Sequence, residues 1–261
     1  MMLNMPNRLN KIVALTTYLY RKRSPNGIDF KSSKGIFSFG IIWSALKMLI
    51  IIGGISTIFG IGLRGTGIHI EAFSFNLLFY FCFAEAARTL ATLAINPAIR
   101  EDKNISFNIF FISNYLRVIT QFFIMGIIIC IVLYFFGYKL NITYTMIAFC
   151  LNAIFIFVYC VIVAGLINKK AFLIELHDFV IQGMFFISSV IIPVSILPNF
   201  VIDILVWNPL VHINEFVKEP YTNIYLSYID IYYPLKFILA FSVLLIPLLF
   251  YFEKQYADGR R

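Results

Sequence analysis

Six stretches of about 20 predominantly apolar residues, near 40–63, 72–94, 118–137, 142–167, 179–197 and 231–252, recur along this chain with few charges inside them. A stretch of that length crosses the hydrocarbon core of a bilayer as a helix, because a helix satisfies every backbone N–H and C=O within itself. The hydrophobic content of 61% against 13% charged residues is more apolar surface than a soluble core requires. With 261 residues, six such helices leave little chain for a soluble domain. The expectation is an all-α integral membrane protein of one domain. It has a cytoplasmic interfacial segment at 1–39, a six-helix membrane region at 40–252 and a cytoplasmic tail at 253–261.

Charge placement orients the spans, since cytoplasmic loops retain Lys and Arg. With both termini in the cytoplasm, fifteen cationic residues fall on that side. They include the runs Arg21-Lys22-Arg23 and Lys169-Lys170, and also Arg117. Outside lie Arg64, Lys139 and Lys218. The net charge of +8 therefore reports orientation and does not call for a nucleic-acid partner. Before the first span, Leu9, Ile12, Val13, Thr16, Leu19 and Tyr20 recur at helical spacing beside Arg8 and Lys11, which predicts a helix lying on anionic lipid. No cleavable signal peptide is expected, because a compact apolar region followed by small residues is lacking.

The segment 182–221 departs from the plain pattern. It is apolar, yet broken by Pro193, Pro198 and Pro209 around Trp207-Asn208-Pro209-Leu210-Val211-His212. Irregular backbone at membrane depth is tolerated only where protein or a water-filled cavity satisfies it. The segment is therefore expected to dip into the bilayer from outside and turn back. Asn208 and Pro209 suit the turn, since proline fixes its own φ and biases the residue before it away from helix.

Motifs for chemistry are sparse. HExxH, GxSxG and the phosphate-binding GxxxxGK[ST] do not occur, and His69, His177 and His212 fall in separate connections. Glu175-Leu176-His177-Asp178 is the one dense titratable cluster, but on a helix His177 turns away from Glu175 and Asp178, so no metal site is expected. Cys82, Cys130, Cys150 and Cys160 lie inside spans without CxxC spacing and read as core residues. Charges within spans are more telling because they are costly there. Glu85 and Arg88, three apart, can neutralise each other or serve a channel or dimer contact. Lys47 either snorkels to the cytoplasmic headgroups or lines a cavity, and Lys236 snorkels outward.

The run Phe185-Phe186-Ile187-Ser188-Ser189-Val190-Ile191-Ile192-Pro193, then Leu197-Pro198, then Trp207 through His212 and on to Glu215, resembles the fifth span and external gate of ABC-2 type permeases. Within them it is similar to the membrane subunit of group 2 capsular polysaccharide exporters. The likeness is tight over about the last eighty residues, with Gly40-Ile41-Ile42-Trp43 entering span one as a further match. Lys47 and Met48 stand where that family commonly carries Glu-Pro.

The resemblance implies a homodimer in the bacterial inner membrane, with lipid-linked polysaccharide threaded between the two copies. Two separate ATP-binding cassette subunits would bind ATP and Mg, so this chain needs no cofactor and holds no catalytic residue. Periplasmic adaptor and outer-membrane export proteins would complete the route. Cytoplasmic coupling would fall to 95–115, with Arg100, Glu101, Asp102 and Lys103 at its turn, and to 168–178, with Glu175, His177 and Asp178. Trp207 and His212 would face or brace the pathway, with Phe185, Phe186 and Trp43 beside it. An O-antigen or teichoic-acid exporter of the same superfamily is the alternative, and an integral membrane acyltransferase a more distant one.

Overall fold

The computed structural model describes residues 39–62, 69–93, 107–167, 172–194, 197–221 and 229–258. Among these the secondary structure is helical, without strands. The helices are α1 Phe39–Gly62, α2 Ile70–Leu93, α3 Phe107–Phe135, α4 Ile142–Ile167, α5 Phe172–Ile187, α6 Asn199–Leu205, α7 Pro209–Lys218 and α8 Tyr232–Asp258. Four segments are long and apolar enough to cross a membrane: Ile70–Ala91, Phe107–Phe135, Ile142–Ile167 and Tyr232–Tyr251. Such helices suit a membrane protein. The pair α6 and α7 passes the same test only jointly and is bent by 112°. The interfacial helix expected before residue 39 lies outside the described residues.

α2 is the centre of the bundle, with 78% of its apolar window buried, whereas α8 has 12%. Lipid offers helices no hydrophobic gain on association, so close packing and interhelical hydrogen bonds must hold them. Phe79 and Phe83 of α2 meet Phe149 and Phe155 of α4 with ring centroids 6.1 Å apart in each pair, and Tyr159 lies 4.9 Å from Phe83. Polar side chains add ties between helices. Tyr80 Oη donates to the Ile181 carbonyl at 2.9 Å, Asn152 Nδ2 to Phe79 O at 3.2 Å, and Tyr115 Oη to Ala153 O at 2.8 Å.

Gly126 lets α3 approach α2. A Cβ there would lie 3.3 Å from Leu78 Cδ2. Because that contact is the flexible end of a side chain, Gly126→Ala is expected to be tolerated. Gly126→Leu should cost about 1–3 kcal/mol through overpacking. Unfolding in detergent of the two variants side by side checks the contrast.

The α3 to α4 connection is fixed by its caps. Gly137 adopts φ +80, a conformation that costs glycine little. Its N–H reaches Tyr134 O at 3.0 Å and the Tyr138 N–H reaches Leu133 O at 3.1 Å, the paired bonds that close a helix C-terminus. Asn141 then caps α4, its Oδ1 accepting from Tyr144 N at 3.3 Å.

Three expected boundaries move. The span placed at 118–137 begins at Phe107, because Asn108 and the buried Ser113, Asn114, Arg117 and Gln121 lie on the helix and face protein. Ser113 Oγ and Asn114 Nδ2 donate back to Ile109 O and Phe110 O, so the helix itself absorbs their polarity. Arg117, counted above with the cytoplasmic charges, is thus a buried residue of α3. The span placed at 179–197 is instead the 16-residue α5, starting at Phe172 and ending at Ile187. The tail expected from 253 continues α8 as far as Asp258.

Candidate functional site

The broken segment is a tied structure. α5 ends at Ile187, and Ser189 follows in the left-handed region at φ 58, unusual for a residue with a Cβ. That turn delivers the Ser188 and Ser189 polar groups to α7. Pro209 opens α7 at a position where its missing N–H is no loss, and Asn208 caps the helix, its Oδ1 accepting from Leu210 N at 3.0 Å. The Asn208 amide nitrogen donates the other way, to Ile187 O at 3.2 Å and Ser188 Oγ at 3.0 Å. Asn214 Nδ2 donates to Ser188 O at 2.6 Å.

One turn further along α7, Glu215 and Lys218 form a buried ion pair, Nζ to Oε1 2.7 Å. Lys218 Nζ also donates to Ser189 O at 2.7 Å and to Ser189 Oγ at 2.8 Å. Ser189 Oγ is hydrogen-bonded to Glu215 Oε1, and the Val194 N–H donates to the same oxygen at 3.2 Å. Among the described residues the ammonium meets these three acceptors and one carboxylate oxygen these three partners, the satisfaction that a buried pair requires. A charge pair inside an apolar segment thus clamps α7 against the end of α5.

His212 ties the same unit to α8. Its Nε2 lies 2.7 Å from Val206 O and its Nδ1 accepts from Asp230 N at 3.1 Å. This arrangement requires neutral imidazole with the proton on Nε2. The Tyr233 ring lies 4.6 Å from the imidazole, and its hydroxyl donates to Trp207 O at 3.1 Å. Outside the spans, the Asp230 carboxyl is held below its ordinary range, first by the Tyr232 N–H and then by the Lys236 ammonium at 3.0 Å.

A second polar group lies at the other end of α5, about 15 Å from Ser188 at 1.5 Å per residue. Arg88 of α2 meets Asp178, Nε to Oδ1 3.5 Å, with both side chains about half exposed. His177 is buried and stacks on Tyr159 at 5.9 Å. The helix thus separates His177 from Asp178, and among the described residues no group of His, Cys, Asp and Glu could hold a metal ion.

The structure brings Trp207, Asn208, Pro209 and His212 together at the α6–α7 bend, with Phe185 and Phe186 on the adjoining α5. Phe185 packs on Tyr80 at 4.8 Å, while Phe186 and Trp207 are exposed. His212 is buried and braces the bend from within. Arg88 meets Asp178 across to α5, while Glu85 accepts from Thr89 Oγ1 at 3.5 Å. Lys47 is exposed on α1, and Glu175 is exposed on α5. Trp43 belongs to α1, but its side chain lies outside the described residues, as do Arg100, Glu101, Asp102 and Lys103.

The sequence alone gives no role to Ser188, Ser189, Asn214 or the Glu215–Lys218 pair, although Ser188, Ser189 and Glu215 lie in the run that resembles the external gate. A signal existed: opposite charges three apart on an apolar helix share a face, the rule applied above to Glu85 and Arg88. Charge placement alone puts Lys218 in an external loop, whereas it is buried at the end of α7. No protein-family model matches the chain, and no curated protein matches it in sequence.

Proposed function

We propose that this chain is the permease subunit of an ATP-driven exporter, moving lipid-linked polysaccharide of the capsular kind across the bacterial inner membrane. The single observation that carries the reading is the α6–α7 pair, bent by 112° within an apolar segment and clamped to α5 and α8 by buried polar groups. Broken helices of this kind belong beside a translocation pathway, where irregular backbone can be satisfied. The resemblance of 185–215 to ABC-2 external gates supplies the substrate class.

In this reading two copies enclose the route, six spans per copy count α1 and α5 with the four long helices, and ATP is hydrolysed by separate subunits. The hairpin closes the outer mouth. Because Glu215, Lys218 and Ser189 fasten α7 to the end of α5, a displacement of α5 at its Asp178 end carries the hairpin with it. The work of the chain is therefore conformational, and its in-membrane charges hold geometry rather than transfer protons.

Purification of the complex from its native membrane tests the proposal directly. Two ATP-binding cassette subunits and a bound glycolipid are expected to accompany two copies of this chain; recovery without any ATPase, together with lipid acyl transfer by the chain alone, would replace the exporter with an enzyme. A deletion strain should accumulate the glycan inside the cell, and its chemistry separates capsular polymer from O-antigen or teichoic acid. For coupling, Arg100→Glu with Lys103→Glu is expected to abolish stimulation of the partner ATPase while leaving the spans folded. Unaltered stimulation would remove 95–115 from the coupling role.

A further inference from the structure

The bend of the hairpin exposes an apolar face that the polar clamp does not use. Phe200 and Ile204 on α6 and Trp207 in the turn just past its end recur at i, i+4 and i+7, and are 70%, 69% and 75% exposed. The opposite side of the helix is accounted for: Ile202 and Leu205 pack with Val194 and Val211. Asp203 lies at the margin of the exposed face. A short helix with aromatics on one side and an acid at its edge matches the boundary between headgroups and acyl chains.

What covers this face follows from its neighbour. The Trp207 carbonyl accepts from the Tyr233 hydroxyl, so Trp207 is held at the first turn of α8. There Tyr232 is exposed and the Lys236–Asp230 pair lies open to solvent. From that turn onward α8 is an apolar span with only 12% of its window buried, exposing Leu239, Val243 and Leu244. Most of α8 is thus uncovered by the described residues, and the exposed face at α6 continues that apolar surface at the level where tryptophan and tyrosine gather.

We propose that α6 is an interfacial anchor, with Phe200, Ile204 and Trp207 seated in the lipid at the headgroup boundary beside the first turn of α8. The anchor holds the hairpin at a fixed depth while the buried clamp couples it to α5. The inference rests on the membrane-spanning character of α8 and not on the exporter reading, although it states what the rim of that hairpin touches. Trp207 then contacts lipid and not glycan.

The chain has two tryptophans, Trp43 and Trp207, so Trp43→Phe leaves Trp207 as the sole indole. The full chain carrying that substitution is reconstituted in phosphatidylcholine vesicles whose lipids are brominated either near the glycerol end of the acyl chain or near the terminal methyl. Shallow bromines are expected to quench Trp207 more than deep ones, and aqueous iodide to quench weakly. Phe200→Ser with Ile204→Ser, which removes only exposed side chains, should lower the bromolipid quenching and shift emission to the red. Strong iodide quenching with little from bromolipid would put the ring in water and overturn the proposal. Protection from both quenchers would assign the face to a second copy of the chain, and stronger quenching by deep bromines would place it inside the bilayer; either also overturns the anchor. None of these outcomes depends on whether an ATPase or a polysaccharide is found.

Discussion

Lys218→Met is expected to destabilise the protein by about 3–5 kcal/mol, the cost of leaving a buried charge without its partner. Glu215 would lose its 2.7 Å contact with the ammonium while remaining buried among apolar residues of α7. Ser189 O and Ser189 Oγ would lose a donor at the same stroke. The double substitution Glu215→Leu with Lys218→Met should recover much of the loss, because apolar residues of similar volume often replace a buried pair at little cost. Recovery should be incomplete, since the Val194 N–H and the Ser189 hydroxyl would stay unpaired. Reversible unfolding of the wild type, both single variants and the double variant closes a thermodynamic cycle. Additive single effects would show that the pair does not act as a unit.

His212→Leu should have the next largest effect, because it orphans groups on two separate elements. Loss of the imidazole leaves Val206 O at the bend and Asp230 N at the approach to α8 without partners. Each orphaned group costs about 1–3 kcal/mol, with the less buried Asp230 N–H toward the lower end. The expected readout is faster amide exchange at Asp230 and Tyr233 along with a lowered unfolding midpoint.

The same geometry gives a pH dependence. The bonding pattern accepts only the neutral ring, so protonation at Nδ1 sets two N–H groups against each other. Among charged groups nearby, Asp230 is already engaged by Lys236, and Tyr233 offers only its ring face. The link is therefore complete while the ring is neutral and is lost over the acid interval in which the ring gains its proton. Wild-type stability should decline across that interval while His212→Leu shows a shallower decline. Equal slopes would mean that His212 stays neutral or is not the titrating group.

The helices were legible wherever hydropathy and burial agree. α4 falls at the expected 142–167 because its few polar residues, Asn152 among them, leave the average strongly apolar, and Asn141 and Gly137 mark its approach with turn chemistry. α3 was read short because Asn114, Arg117 and Gln121 lower hydropathy while being turned toward protein, and a one-dimensional average cannot tell a protein-facing polar residue from a loop. The fifth span failed for a related reason. Val190 through Val194 are as apolar as a helix interior, yet Ser189 has already turned the chain and Pro193 cannot supply an N–H. At the candidate site, the turn residues Asn208 and Pro209 could be read from the sequence because their chemistry is local. The clamp could not, since Ser189 and Lys218 meet across 29 positions.

Ser189 shows how narrow the choice of residue at such a joint can be. Its backbone angle suits glycine, asparagine or aspartate, whereas its contacts with Glu215 and Lys218 call for a small hydroxyl. Glycine would ease the backbone and delete the oxygen; threonine would keep the oxygen but add a branch at a φ that β-branched residues strongly disfavour. Aspartate would tolerate the angle and add a second negative charge beside Glu215. Position 189 is therefore a point where two independent demands intersect on a single amino acid, and a substitution scan should find it among the least permissive places in the chain.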